Sequence, residues 1–127
     1  MSAGTVVDLF RHFQKIVAIV SDGAGTSNYI VYADGSVYTH TIADNSQTQI
    51  LGPQGIPGEP VAAAFLSSYV FVALASGAIW RVTIATGAKT EILKADRSIG
   101  RPVAMCYYGA KLYVSYASGY FRSVTTS

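Results

Sequence analysis

The chain has 127 residues, 50% of them apolar, nine Lys or Arg against seven Asp or Glu for a net charge of +2, and a single cysteine. That is the size of one ordinary domain with apolar side chains enough for a core, which excludes a disordered chain. Sparse and nearly balanced charge gives no reason to expect nucleic acid as a partner, and Cys106 alone allows neither an intramolecular disulfide nor a zinc site.

The first segment, AGTVVDLF (3–10), is a strand candidate. Arg11, His12 and Lys15 then precede IVAIV, an apolar run of five residues, too short for a secretion signal or a membrane span. A soluble protein without a secretion signal is expected, cytoplasmic or part of a virion. VAIVS from Val17 reads as a strand, and the glycine-rich DGAGTSN (22–28) as a turn, since it lacks the spaced carboxylates and closing Glu of a calcium loop. NYIVYADGSVYTHTI (28–42) reads as a hairpin whose Asp-Gly supplies the positive φ of a tight turn, and ADNSQ leads to a further strand, TQIL (48–51).

GPQGIPGEP (52–60) imitates three collagen triplets, but it joins an Ile-Leu strand end to a Pro-Val-Ala strand start just as KADRSIGRP (94–102) does later. The second segment keeps only the last of the glycines, Gly100, so both read as loops between repeated units. The remaining elements repeat the first set. VAAAF, the hairpin YVFVALASGAIWRVTI (69–84) and TEIL (90–93) form a second unit, and VAMCY with the hairpin KLYVSYASGYFRSVTT (111–126) begins a third. Gly35, Gly77 and Gly119 recur at intervals of 42 residues, each after Asp or Ser between two apolar runs. The runs are short, rich in β-branched and aromatic residues and without helical periodicity, so each unit offers four strands.

Four antiparallel strands in about 42 residues, repeated without helices, resemble a β-propeller blade. The resemblance covers the whole chain but is architectural, because neither the Trp-Asp dipeptide of WD40 repeats nor the double glycine of kelch repeats is present. It implies an all-β fold with three blades per chain: 16–51, 61–93 and 103–127, the last lacking its outer strand. Segment 3–10 parallels the outer-strand region of the second unit and is expected to supply that strand. Propellers close with about four to eight blades, so three cannot form a ring and six is the only multiple in range. The expectation is a strand-exchanged homodimer with six blades. The alternatives are an open three-blade fragment or a chain cut from a longer protein.

Candidate chemistry is thin. His12 and His40 have no Ser, Cys or Asp at a triad spacing, and His40 alternates with Tyr38 and Ile42 on one strand face, as a packed histidine would. Cys106 in VAMCY reads as a small core residue, and GAGTSN is a weak imitation of a phosphate loop. No catalytic residue, cofactor or metal is expected, and a hydrolase or nucleotide-binding enzyme is the least supported function. Nine tyrosines and one tryptophan invite a carbohydrate reading, in which Trp80, Tyr38 and Tyr120 are the stacking candidates. The repeat positions do not keep the same residues, however, and aromatic packing between blades accounts for them as well.

The surface signal is basic. Loops joining successive units carry Arg11, Lys15, Lys94, Arg97 and Arg101 against Glu59 and Asp96, a surplus of three per chain on one rim. Such a rim steers acidic partners, or else serves only as a solvated surface that prevents aggregation. The reading is a non-enzymatic structural or protein-interaction module in a larger assembly. By analogy with compact genomes that build rings from short chains, a bacteriophage virion or tail component is the suggested setting; a lectin-like propeller is the alternative.

Overall fold

The computed structural model describes Gly4, Leu9 and residues 14–96 and 98–126. Eleven strands and no helix occur among them. The first sheet contains β1 (Ile16–Ser21), β2 (Ser27–Tyr32), β3 (Val37–Thr41) and β4 (Gln47–Leu51), and the second contains β5 (Pro60–Leu66), β6 (Tyr69–Leu74), β7 (Ile79–Thr83) and β8 (Lys89–Leu93). The third contains β9 (Pro102–Tyr108), β10 (Lys111–Tyr116) and β11 (Phe121–Thr125). Each sheet is an antiparallel meander in sequence order. Apart from Gly4 and Leu9, the segment 3–10 expected to add an outer strand lies outside the described residues.

Local chemistry explains the hairpins. At each sharp turn between the second and third strand, the glycine takes a positive φ: 86° at Gly35, 97° at Gly77 and 96° at Gly119. Its amide donates to the carbonyl three residues back, on Tyr32, Leu74 or Tyr116. An L side chain is disfavoured in that region, which is why the repeat keeps glycine there. The innermost strands repeat a subtler device. Register with the neighbouring strand slips by one residue at Val17, Val61 and Val103, the valine of each Val-Ala pair. Such a slip bends a strand and increases its twist.

The sheets stack face to face through their inner strands, with β5 lying beside both β1 and β9. Two cores result. Tyr29, Val31 and Val37 of the first sheet meet Ala63, Val70, Val72 and Val82 of the second. The other face of the second sheet, with Ala62, Ala64, Phe71 and Ile79, meets Leu112, Val114 and Tyr116 of the third. Strand alternation makes this possible, because successive side chains of β6 point to opposite cores. Phe71, Val70 and Val72 are all fully buried, each contributing about 1.5–3 kcal/mol of apolar burial.

One sequence expectation is corrected. Cys106 is exposed rather than in the core. It sits on β9 beside Met105, which packs into the second core, so alternation turns the thiol to the opposite face.

The collagen-like segment is a folded loop. Ile56 is buried in the first core, its amide donates to the Gly35 carbonyl at 3.1 Å, and the Gln54 amide donates to Asp34 at 2.6 Å. A Cβ at Gly35 would stand 2.7 Å from the Ile56 carbonyl oxygen, whereas one at Gly119 would meet nothing within 4 Å. Gly119→Ala is therefore expected to cost about 1 kcal/mol, from backbone conformation alone. Gly35→Ala is expected to cost about 2–3 kcal/mol, because the loop must also move. Urea unfolding of the two variants checks the difference; equal losses would refute the clamp.

Candidate functional site

The loops between sheets and the sharp hairpin turns share one end of the molecule. Gln54 bonds to Asp34 and, one repeat later, the Asp96 amide donates to the Ser76 carbonyl at 3.1 Å. The hairpin turn of the first sheet and the loop before the third are each held by an Asp side chain. Asp34 accepts from the Ser36 amide at 3.0 Å and hydroxyl at 2.6 Å, and Asp96 accepts from Ser98 with the same geometry. Ser98 holds the Asp96 carboxyl below its ordinary value of 3.8, chiefly through the hydroxyl and then the amide.

At the centre of that end, three charged residues occupy one repeat position. Lys15, Glu59 and Arg101 each stand two residues before the valine of a Val-Ala pair. Their carbonyls accept the amides of Ala33, Ala75 and Ala117, each at 2.8 Å, so the backbone of each sheet fixes one of them in the same way. All three line a depression of about 340 Å³ whose walls include Val17, Val61, Pro60, Pro102 and Val103. Arg101 pairs with Glu59 at 2.8 Å, and among the described residues Lys15 makes no ion pair. The depression thus presents a solvated pair and a free ammonium over an apolar floor.

Of the five basic rim candidates, Lys15 and Arg101 come together here. Lys94 is exposed just beyond the end of β8, and Arg11 and Arg97 lie outside the described residues. The equivalence of Glu59 with Lys15 and Arg101 was missed by counting charges. It was legible from the Val-Ala pairs, once the register was counted from them rather than from the glycines.

The carbohydrate candidates are dispersed. Trp80 on β7 packs half-buried against the first core. Tyr38 on β3 meets Tyr32 edge-on at 5.4 Å and donates its hydroxyl to Gln49 at 3.0 Å. Tyr120 is exposed just before β11. The three belong to three different sheets.

His40 is buried on β3 and both ring nitrogens are engaged. The Asn28 amide lies 3.3 Å from Nδ1, and Nε2 lies 3.0 Å from the Asn45 carbonyl oxygen. The Asn28 side-chain nitrogen can only donate and the Asn45 side-chain oxygen can only accept, so the two contacts suit the tautomer in which Nδ1 accepts and Nε2–H donates. His12 lies outside the described residues. Asp22 closes its own turn by accepting the amides of Ala24 at 2.9 Å, Ser27 at 3.1 Å and Thr26 at 3.4 Å. Among the described residues no group of three or more His, Cys, Asp or Glu side chains could hold a metal ion, and no helix is long and apolar enough to cross a membrane.

No family model and no curated protein matches the chain. Solved structures do, and they are β-propellers. The WD40 β-propeller domain of Doa1 superposes with a TM-score of 0.73 at 13% identity, covering 92% of this chain and 39% of that one. YCF48 bound to D1 peptide gives 0.68 at 9% identity, covering 88% and 37%. The computationally designed Ika4 protein gives 0.61 at 13% identity over 99% of this chain and 100% of that one. The chain has the all-β fold of these proteins and spans about two fifths of the first solved propellers that it matches.

The exposed Arg101–Glu59 pair is worth little to folding, so Arg101→Ala is expected to change unfolding free energy by less than about 1 kcal/mol. Acid acts elsewhere. Asp22, Asp44 and Asp96 have lowered pKa values, chiefly from the Ala24 amide, the Ser46 amide and the Ser98 hydroxyl. Their contribution is present above the ordinary value of 3.8 and lost as pH falls through the lower folded values. Thermal melts are expected to be flat from about pH 7 to 5 and to fall below about pH 4. Replacing all three by Asn should flatten that fall; an unchanged acid limb would rule out these carboxylates.

Proposed function

We propose that the chain is a non-enzymatic β-propeller module that binds an acidic protein partner through the end carrying Lys15, Lys94 and Arg101, within a larger assembly. The observation that carries the reading is the central depression, where one charged residue from each sheet surrounds an apolar floor. Arg11 and Arg97 add to the same rim in the sequence count. Among the described residues, His40 is committed to two side-chain bonds and the Asp22, Asp34 and Asp96 carboxylates to their own turns, so these four are engaged in holding the fold. Among the similar structures, YCF48 is bound to a peptide and the Doa1 domain is a WD40 propeller. Binding of protein partners is the activity proposed here by analogy with them.

The working unit is proposed to be a homodimer of two three-blade chains that together close six blades. Segment 3–10 of each chain completes the third sheet of the other, which has three strands among the described residues against four in its neighbours. A bacteriophage virion or tail is the proposed setting, since a short chain that doubles into a ring is economical in a compact genome.

Two measurements test this. Light scattering should give about twice the chain mass of 13.4 kDa, and removal of residues 1–10 should reduce it; a monomeric intact protein would overturn the dimer. Titration with a panel of Asp- and Glu-rich peptides should show binding that weakens with salt. It should also weaken at least about tenfold in Lys15→Glu/Arg101→Glu, since charge reversal replaces attraction by repulsion. Affinity indifferent to both changes would exclude the basic end as the docking surface.

A further inference from the structure

Large exposed apolar side chains are not scattered over this molecule. Ile16, Ile19 and Ile42 belong to the first sheet or its edge, and Val103, Tyr108 and Phe121 to the third, whereas none lies on the second sheet among the described residues. The second sheet is covered on both faces. Among the described residues no sheet lies over the outward face of the third sheet, where Cys106 and Phe121 are exposed; on the outward face of the first, Ile19 is exposed while Ile30, Tyr32 and His40 are buried.

The two internal contacts are one contact made twice. Tyr29 stacks on Phe65 with centroids 5.3 Å apart and planes within 8°, and Phe71 stacks on Tyr107 at 6.0 Å and 5°. Tyr29 and Phe71 are one repeat apart, as are Phe65 and Tyr107. The exposed residues have counterparts inside these contacts. Ile79 is fully buried in the second core, and one repeat later Phe121 is 69% exposed. Ile84 packs against the first core, and one repeat earlier Ile42 is 40% exposed. Counted from the Val-Ala pairs, Ala64 and Met105 share the second core and Val20 and Ala63 the first. The matching pair at the two ends is Cys106 on the third sheet and Ile19 on the first.

We propose that the open face of the third sheet, with Cys106, Tyr113 and Phe121, receives the outward face of the first sheet of a second copy, the face of Ile19 and Ile30, in the register of the internal contacts. The face continues an interface already present twice in the chain, and the occupant is therefore a second copy rather than an unrelated protein. Two chains make the contact twice and leave no sheet face open. The inference rests on the homodimer reading but adds an interface that does not depend on strand exchange. In the isolated chain Leu9 lines a depression with Ile19, Ile30 and His40, on the face that the incoming sheet takes. Closure displaces Leu9 from that position and buries the Cys106 thiol, which resolves why a residue with a core-like sequence setting is exposed in one chain.

The full-length protein provides the test. Ile19→Cys, oxidised with diamide, should give disulfide-linked dimers through Cys106, while the parent with one thiol per chain should not. Phe121→Glu should halve the solution mass and abolish that cross-link; its circular dichroism should stay unchanged, because Phe121 is exposed in the single chain. Intact dimers that survive Phe121→Glu but dissociate on loss of residues 1–10 would overturn the face contact and keep strand exchange. Dimers that survive the truncation but not Phe121→Glu support the face contact alone. A monomeric parent, with Cys106 reacting as fast as in urea, overturns both.

Discussion

A single sheet cannot fold alone in water, since each of its faces carries apolar side chains and only a neighbouring layer removes them from solvent. In this chain that requirement is met at two contacts with nearly one solution. Alternation along β6 sends Val70 and Val72 toward the first sheet and Phe71 and Ala73 toward the third, so one strand serves two cores. The aromatic stacks Tyr29 on Phe65 and Phe71 on Tyr107 show that the spacing is repeated as well as the composition. A stack built by translation has ends, and the ends of this one are apolar.

The same backbone logic places the charge. Each inner strand starts where its carbonyl accepts an amide from the sharp turn beside it, and that start carries Lys15, Glu59 or Arg101. Position is fixed by main-chain bonds that any residue could make, so side chains are free to vary. The core cannot vary in this way, and the rim can. Variation in an otherwise repetitive frame is how a repeat fold acquires one specific docking surface. The first loop is tied to the turn beside it by main-chain bonds, with the Gln54 and Ile56 amides donating to the Asp34 and Gly35 carbonyls.

Much of the fold was legible. Gly35, Gly77 and Gly119 announced the turns because positive φ is a local demand, and β-branched runs between them announced strands for the same reason. The Val-Ala pairs marked the inner strands, though not that each valine is where the register slips. Cys106 was misread because a small apolar strand reads alike whether its face is covered or open. Its alternation partner Met105 packs into a core and Cys106 does not, a difference set by the neighbouring sheet and not by local sequence.

Sequence alone determined what depends on near neighbours along the chain: strand period, turn chemistry, the 42-residue repeat and a net charge of +2. It also carried the register that makes Lys15, Glu59 and Arg101 equivalent. Tertiary structure decided what depends on distant segments meeting. It brought those three residues around one depression, paired Arg101 with Glu59, committed His40 to Asn28 and Asn45, and left Cys106 and Phe121 exposed on the third sheet. The division follows from range: a dihedral preference acts within a few residues, whereas burial and ion pairing exist only once separate sheets have packed.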